Sequence, residues 1–136
     1  MIPGHVVDTH ALLWYLYSPN RLGAAALAAL DAANGGSAAV LVPVLVLAEA
    51  VMVVQKGRLA GVDAARGMLG LHAVVASQGF IVAELDAVTV LDSARLTAIP
   101  DIFDRLIVAE AAERGIPLIT KDAVIVASGT VATIWD

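Results

Sequence analysis

The sequence predicts an α/β fold, a three-layer α/β/α sandwich whose mostly parallel sheet has four or five strands, built as a single domain over residues 1–136. Three observations predict it. Short apolar or β-branched runs alternate with longer stretches of helical spacing along the whole chain, and parallel strands need such crossovers. The strand-like runs are apolar throughout, as expected of strands buried on both faces. Hydrophobic residues make up 60% of the chain, and much of the excess is alanine and valine, which suits helices packed closely on a sheet.

The elements follow in order. Gly4 to Val7 reads as a first strand, after which Asp8-Thr9 caps a helix through Tyr17 that Pro19 stops. Arg21 to Ala33 is alanine-rich and helical, ended by Asn34-Gly35-Gly36. Ala39 to Val42 is a second strand, and Pro43 opens a helix that carries Glu49 and runs to Lys56. Val62 to Ser77 is helical with Asp63 as its cap, and Phe80 to Ala83 is a third strand. Asp86 caps a helix reaching Leu96, on which Asp92 and Arg95 can pair across one turn. Phe103 to Arg114 is helical and Gly115 terminates it; Pro117 to Thr120 is a fourth strand and Val131 to Trp135 a last one.

Composition narrows the function. With no cysteine, the chain has no disulfides, iron-sulfur clusters or thiolate zinc sites, and a reducing cytoplasm is the expected location. A net charge of -5 argues against a broad basic face for nucleic acid, yet Lys56, Arg58, Arg66, Arg105 and Lys121 could line one cleft. Ser37 to Val54 approaches the length of a membrane span, but Pro43 and Glu49 interrupt it and a buried strand entering a buried helix reads the same way. No membrane span is expected. Met1-Ile2-Pro3-Gly4-His5 leads into the first strand without a basic leader, so export is not expected.

The chemistry lies in acids placed at the ends of apolar runs: Asp8, Glu49, Asp101, Asp104 and Asp122. In parallel sheets, ligands gather beyond the carboxyl ends of the strands, where Asp8 and Asp122 fall. Converging carboxylates repel one another, and a divalent cation with oxygen ligands is the usual remedy. Oxygen donors without cysteine favour Mg²⁺ or Mn²⁺ over zinc and point to phosphodiester hydrolysis. Each acid also has a plainer role open to it. Asp8 and Asp122 can be helix caps; Asp101 resembles a cap with an acid three residues on; Asp104 can complement a helix dipole. Glu49 is harder to explain so, because a glutamate in so apolar a helix is rarely buried unpaired. Thr9 and Thr120 can orient a ligand or water, His5 and His10 flank Asp8 without ligand spacing, and Glu110 and Glu113 read as a solvated helix face.

Taken together, Val7-Asp8-Thr9-His10-Ala11-Leu12-Leu13-Trp14, Asp101-Ile102-Phe103-Asp104-Arg105, Leu118-Ile119-Thr120-Lys121-Asp122 and Ile134-Trp135 resemble the PIN-domain family, most closely the toxin ribonucleases of VapBC toxin-antitoxin modules. The resemblance covers essentially the whole chain. It implies Asp8, Glu49, Asp104 and Asp122 as an acidic quartet around Mg²⁺ or Mn²⁺, with Asp101 as a further acid. It also implies an endoribonuclease that acts on RNA, forms a homodimer and is held by a VapB-type antitoxin. Arg105 and Lys121 are candidates for the RNA backbone.

Three departures stand out. Pro43 and Val46 occupy a stretch that often carries serines in the family, Ile102 replaces the usual proline of Asp-Pro-Phe-Asp-Arg, and Ile99-Pro100 stands where a histidine often precedes that motif. The absent polar residues near Glu49 keep open a catalytically silent PIN-like interaction module. A phosphatase of the haloacid-dehalogenase kind also opens with an aspartate after its first strand, but it needs a second aspartate where this chain has His10.

Overall fold

The computed structural model describes residues 1–136. Its centre is a five-stranded sheet of β1 (His5–Val7), β2 (Val40–Pro43), β3 (Phe80–Ala83), β4 (Leu118–Ile119) and β5 (Thr133–Ile134), in the order β3-β2-β1-β4-β5. Every neighbouring pair is parallel, with Val6 opposite both Leu41 and Leu118. The chain therefore builds outward from β1 to β3, then returns to lay β4 and β5 on the other side. This reversal beside β1 opens a crevice between the carboxyl ends of β1 and β4.

Seven helices make the crossovers and flank the sheet: α1 (Thr9–Tyr17), α2 (Ala24–Asn34), α3 (Val44–Gln55), α4 (Ala64–Ala76), α5 (Ala87–Asp92), α6 (Ile102–Arg114) and α7 (Ala123–Ser128). The expected α/β/α sandwich is the architecture observed. Val6, Val7, Val40, Leu41, Val42, Leu118 and Ile119 are all at most 1% exposed, which is why these strands show no alternation in sequence. Helices carry the rest of the core through Leu12, Leu30, Ile107 and Ile125. A smaller cluster joins α1, α3 and α4 through Leu13, Ala50, Val54 and Leu71.

The apolar run from Ser37 resolves into β2 passing directly into α3, with Pro43 ending the strand and standing at the helix N-cap. Val46, Ala50 and Val54 form the buried seam of α3, one residue per turn, which leaves Glu49 on a neighbouring face. No helix is long and apolar enough to cross a membrane. The α6 helix buries a continuous run from Leu106 to Ala111, so it is covered nearly all round, and Gly115 ends it at a φ of 65°.

Several local expectations change. The second helix begins at Ala24, because Pro19–Arg21 forms a separate 3₁₀ turn. The helix after Asp86 breaks at Ser93, whose hydroxyl donates to the Val90 carbonyl at 2.6 Å, and Ser93–Arg95 tightens to 3₁₀. That geometry leaves Asp92 and Arg95 unpaired. Glu110 is buried rather than solvated, and its carboxylate accepts from Arg114 Nε at 3.0 Å. The short α7 is an additional element, begun by Asp122 and stopped by Gly129 in the left-handed region at a φ of 61°.

Candidate active site

The crevice beyond β1 and β4 is a cleft of about 440 Å³, and its lining includes Asp8, Glu49, Asp101, Asp104 and Asp122. All five acids named from the sequence thus come together. Thr9, His10, Ala11, Trp14, Lys121 and Trp135 complete its wall.

Helix capping does much of the positioning. Asp8 stands at the N-cap of α1 and accepts from the Ala11 N–H at 2.9 Å through Oδ1. Asp101 caps α6 by accepting from the N–H groups of Phe103 and Asp104 at 2.8 and 3.1 Å, again through Oδ1. Asp122 caps α7 in the same way, with Val124 and Ile125 as donors at 2.9 and 3.0 Å. The cap and ligand readings of these aspartates are therefore compatible, because each cap uses Oδ1 alone and leaves Oδ2 without a backbone donor. Capping also aims the positive ends of the α1 and α6 dipoles at the acids, which offsets part of their repulsion.

Glu49 enters from α3 and is half-buried; its Oε1 accepts from the Thr9 hydroxyl at 2.8 Å, a link between α1 and α3. Thr120 is buried beneath the cleft, and its Oγ1 accepts from the Asp122 N–H at 3.1 Å. Having accepted there, the Thr120 hydroxyl can turn its proton to Asp8, the neighbour it helps to keep ionised. Asp104 differs from the other four acids in accepting no hydrogen bond from the chain.

The electrostatics are strained. Burial raises the Asp8 carboxyl above its ordinary range, opposed by the Thr120 hydroxyl, the Ala11 N–H and His10, while Asp122 adds to the rise. Burial likewise raises Glu49, with Thr9 opposing and Asp101 adding to it. Asp104 is pushed up to about 6, by burial first and then by the charges of Asp101, Asp122, Glu49 and Asp8. The charges of four carboxylates thus bear on the fifth, as expected of acids that line one cleft.

No three of the chain's His, Asp or Glu side chains form a ready-made cage for a metal ion. The donor set still suits a hard cation. Every charged donor is a carboxylate oxygen, and Mg²⁺ commonly binds through one or two carboxylates while keeping several waters.

The remaining candidates are distributed unequally. Lys121 lines the cleft, with its ammonium 4.8 Å from the centroid of the Trp14 ring and 5.8 Å from that of Trp135. Arg105 lies outside the lining, and its Nε donates to the Ile99 carbonyl, closing the turn before α6. Pro43 and Val46 are buried and Ile102 is exposed; none of them lines the cleft, so the departures from the family pattern do not reach its wall. Trp14 and Trp135, marked in the sequence only as parts of motifs, stand in the cleft wall beside Lys121. The four-residue step from His10 to Trp14 puts those two rings on one face of α1, with centroids 5.8 Å apart.

No curated protein matches the chain significantly in sequence. Its fold is similar to that of VapBC from Salmonella typhimurium in a DNA-bound crystal structure, at 11% identity over 98% of each chain and a TM-score of 0.75. VapBC2 from Rickettsia felis, bound to a fragment of promoter DNA, gives 15% identity, 97% of this chain, 98% of the other and a TM-score of 0.72. VapC20 from Mycobacterium tuberculosis, a sarcin-ricin loop cleaving toxin, gives 17%, 97%, 99% and 0.68. The PIN domain family model matches residues 5–127. With that match spanning nearly all of the sheet and its helices, this chain belongs to the PIN domain family.

Proposed function

We propose that this chain is a VapC-type toxin of a toxin-antitoxin module, an endoribonuclease that hydrolyses RNA phosphodiester bonds with Mg²⁺, or Mn²⁺ in its place. In this reading residues 1–136 act as one domain in the cytoplasm, as a homodimer, and a VapB-type antitoxin restrains it. The observation that carries the reading is the convergence of Asp8, Glu49, Asp101, Asp104 and Asp122 on one cleft. The PIN family and the fold shared with VapBC toxins support it, as does the RNA-cleaving activity named for one of those neighbours.

Asp8, Glu49, Asp104 and Asp122 would hold the metal, with Asp101 as a further ligand. When bound, the ion lowers the pKa of water and stabilises charge on the attacking and leaving oxygens. The chain's own residues do the rest. Caps on Asp8, Asp101 and Asp122 fix three carboxylates before substrate arrives. Thr9 holds Glu49, and Thr120 ties the backbone of Asp122 to the neighbourhood of Asp8. Lys121, held over the indoles, binds a non-bridging phosphate oxygen. Asp104 has both oxygens free of chain donors, so it orients the attacking water. Hydrolysis places the water's hydroxyl on phosphorus, breaks the bond to one ribose oxygen and gives that oxygen a proton.

The test is exposure of a total cellular RNA pool to the purified, antitoxin-free chain with Mg²⁺, Mn²⁺ or chelator, beside Asp104→Asn. Discrete fragments that need the metal and disappear in the variant are the expected result. An intact pool from a folded protein with either metal would overturn the nuclease reading.

A further inference from the structure

A second cleft, of about 570 Å³, adjoins the first and is lined from α1, the 3₁₀ turn after it, α3 and the segment that follows α3. Thr9, His10, Trp14 and Glu49 line both, so the two clefts are continuous. Their charges differ. Arg21, Lys56 and Arg58 stand on the second cleft, and Glu49 is its only acid.

This chain has 8 basic residues against 13 acidic ones, and three of the eight line this cleft while Lys121 lines the first. None of these four pairs with a carboxylate, because the only ion pair joins Arg114 to Glu110. Unpaired cations gathered on one path give a local positive potential that the net charge of -5 conceals. Trp14 stands where the clefts meet. The Arg21 guanidinium lies 4.4 Å from its ring centroid and the Lys121 ammonium 4.8 Å, one cation for each cleft. Between the charges, Leu13, Met52 and Leu59 supply an apolar floor, and Tyr17 adds an aromatic ring whose hydroxyl is tied to the Gly67 carbonyl.

Cations beside aromatic and apolar surface suit a flexible polyanion with flat bases better than a folded duplex. We propose that the second cleft is the track for single-stranded RNA flanking the scissile phosphate. Arg21, Lys56 and Arg58 bind successive phosphates, Lys121 binds the phosphate entering the acid cleft, and Trp14 guides the strand across the junction. This rests on the nuclease reading and extends it to how substrate is held.

The test titrates a short, randomised 2′-O-methyl oligoribonucleotide into the full chain in chelator across a range of salt. Emission of Trp14 and Trp135, the chain's only tryptophans, follows binding. The Lys56→Ala/Arg58→Ala double variant should bind about tenfold more weakly at low salt, and its salt slope should flatten by about 1.4, since each phosphate contact on a single strand contributes about 0.7. For RNA cleavage with Mg²⁺, KM should rise while kcat holds, because contacts remote from the reacting phosphorus are made equally in substrate and transition state. Exchanging the two residue types, as Lys56→Arg/Arg58→Lys, should restore the slope; Arg95→Ala, outside both clefts, should not change it.

An unchanged slope and KM in the double variant, or a wild-type chain that does not bind the probe, would overturn the proposal. Tight binding of an acidic peptide alongside that result would assign the cleft to protein instead. The two readings separate cleanly: cation-dependent binding without cleavage keeps the track and removes the nuclease, whereas cleavage indifferent to Lys56 and Arg58 does the reverse.

Discussion

Neutralising Asp104 should stabilise the metal-free protein while abolishing its cleavage of RNA. The carboxyl sits at about 6 when folded against a reference of 3.8, because it is partly buried and faces four other acids. A shift of about two units corresponds to about 3 kcal/mol at 1.36 kcal/mol per unit. Asp104 is partly open to solvent, so screening reduces this by about half, to about 1.5 kcal/mol. The direction is set by linkage. Between pH 3.8 and about 6 the folded protein binds this proton more tightly than the unfolded chain, so its favourable contribution is complete below 3.8 and is lost as pH rises through about 6. Asp104→Asn keeps the shape and cannot ionise, so its advantage over wild type should be about 1.5 kcal/mol above pH 7 and shrink toward zero as pH falls toward 4. Urea unfolding in chelator at a series of pH values measures this. A variant equal to or less stable than wild type at pH 7.5 would refute the view that the five carboxylates share one strained site.

Three further outcomes follow from the same structure. Added Mg²⁺ should raise the melting temperature of wild type, by an amount equivalent to about 2.7 kcal/mol at a hundredfold excess over Kd, and much less for Asp104→Asn; equal shifts in thermal melts would place the ion elsewhere. Thr9→Val removes the hydroxyl that donates to Glu49, and should cost about 1 kcal/mol and slow cleavage, read by melting and by initial rates. Gly79→Ala would bring a Cβ within 1.7 Å of the Ala33 carbonyl oxygen, where only backbone can give way. It should cost about 3 kcal/mol, seen as a lower urea midpoint, and a midpoint within error of wild type would contradict that close approach between β3 and the end of α2.

Most of the architecture was legible because it depends on local patterning. Apolar runs such as Val40 to Val42 are short enough for strands and buried on both faces, and Asp8, Asp63 and Asp86 mark helix starts by capping them. The rest was open where a local pattern had two outcomes. The apolar run Val124 to Val126 is too short for its period to assign it, and it forms α7 because Asp122 caps it and Gly129 stops it. Glu110 read as solvated because its spacing resembles a helix surface, but α6 is covered nearly all round. For the site, position after a strand placed Asp8 and Asp122 at the sheet's carboxyl edge, and an acid in an apolar helix marked Glu49.

The order of elements and the identity of the acids were thus determined along the chain, by hydrophobic period, capping chemistry and strand ends. Tertiary structure alone decided what depends on distance between elements. It brought α1, α3, α6 and the β4-α7 junction to one cleft, which is what raises Asp104. It sent Arg105 to the Ile99 carbonyl and Lys121 to the indoles, although the two look alike in sequence. It also gathered Arg21, Lys56 and Arg58 beside Trp14 in a chain of net negative charge. Composition sums charge over the whole chain, whereas a substrate meets only the field of the surface it touches.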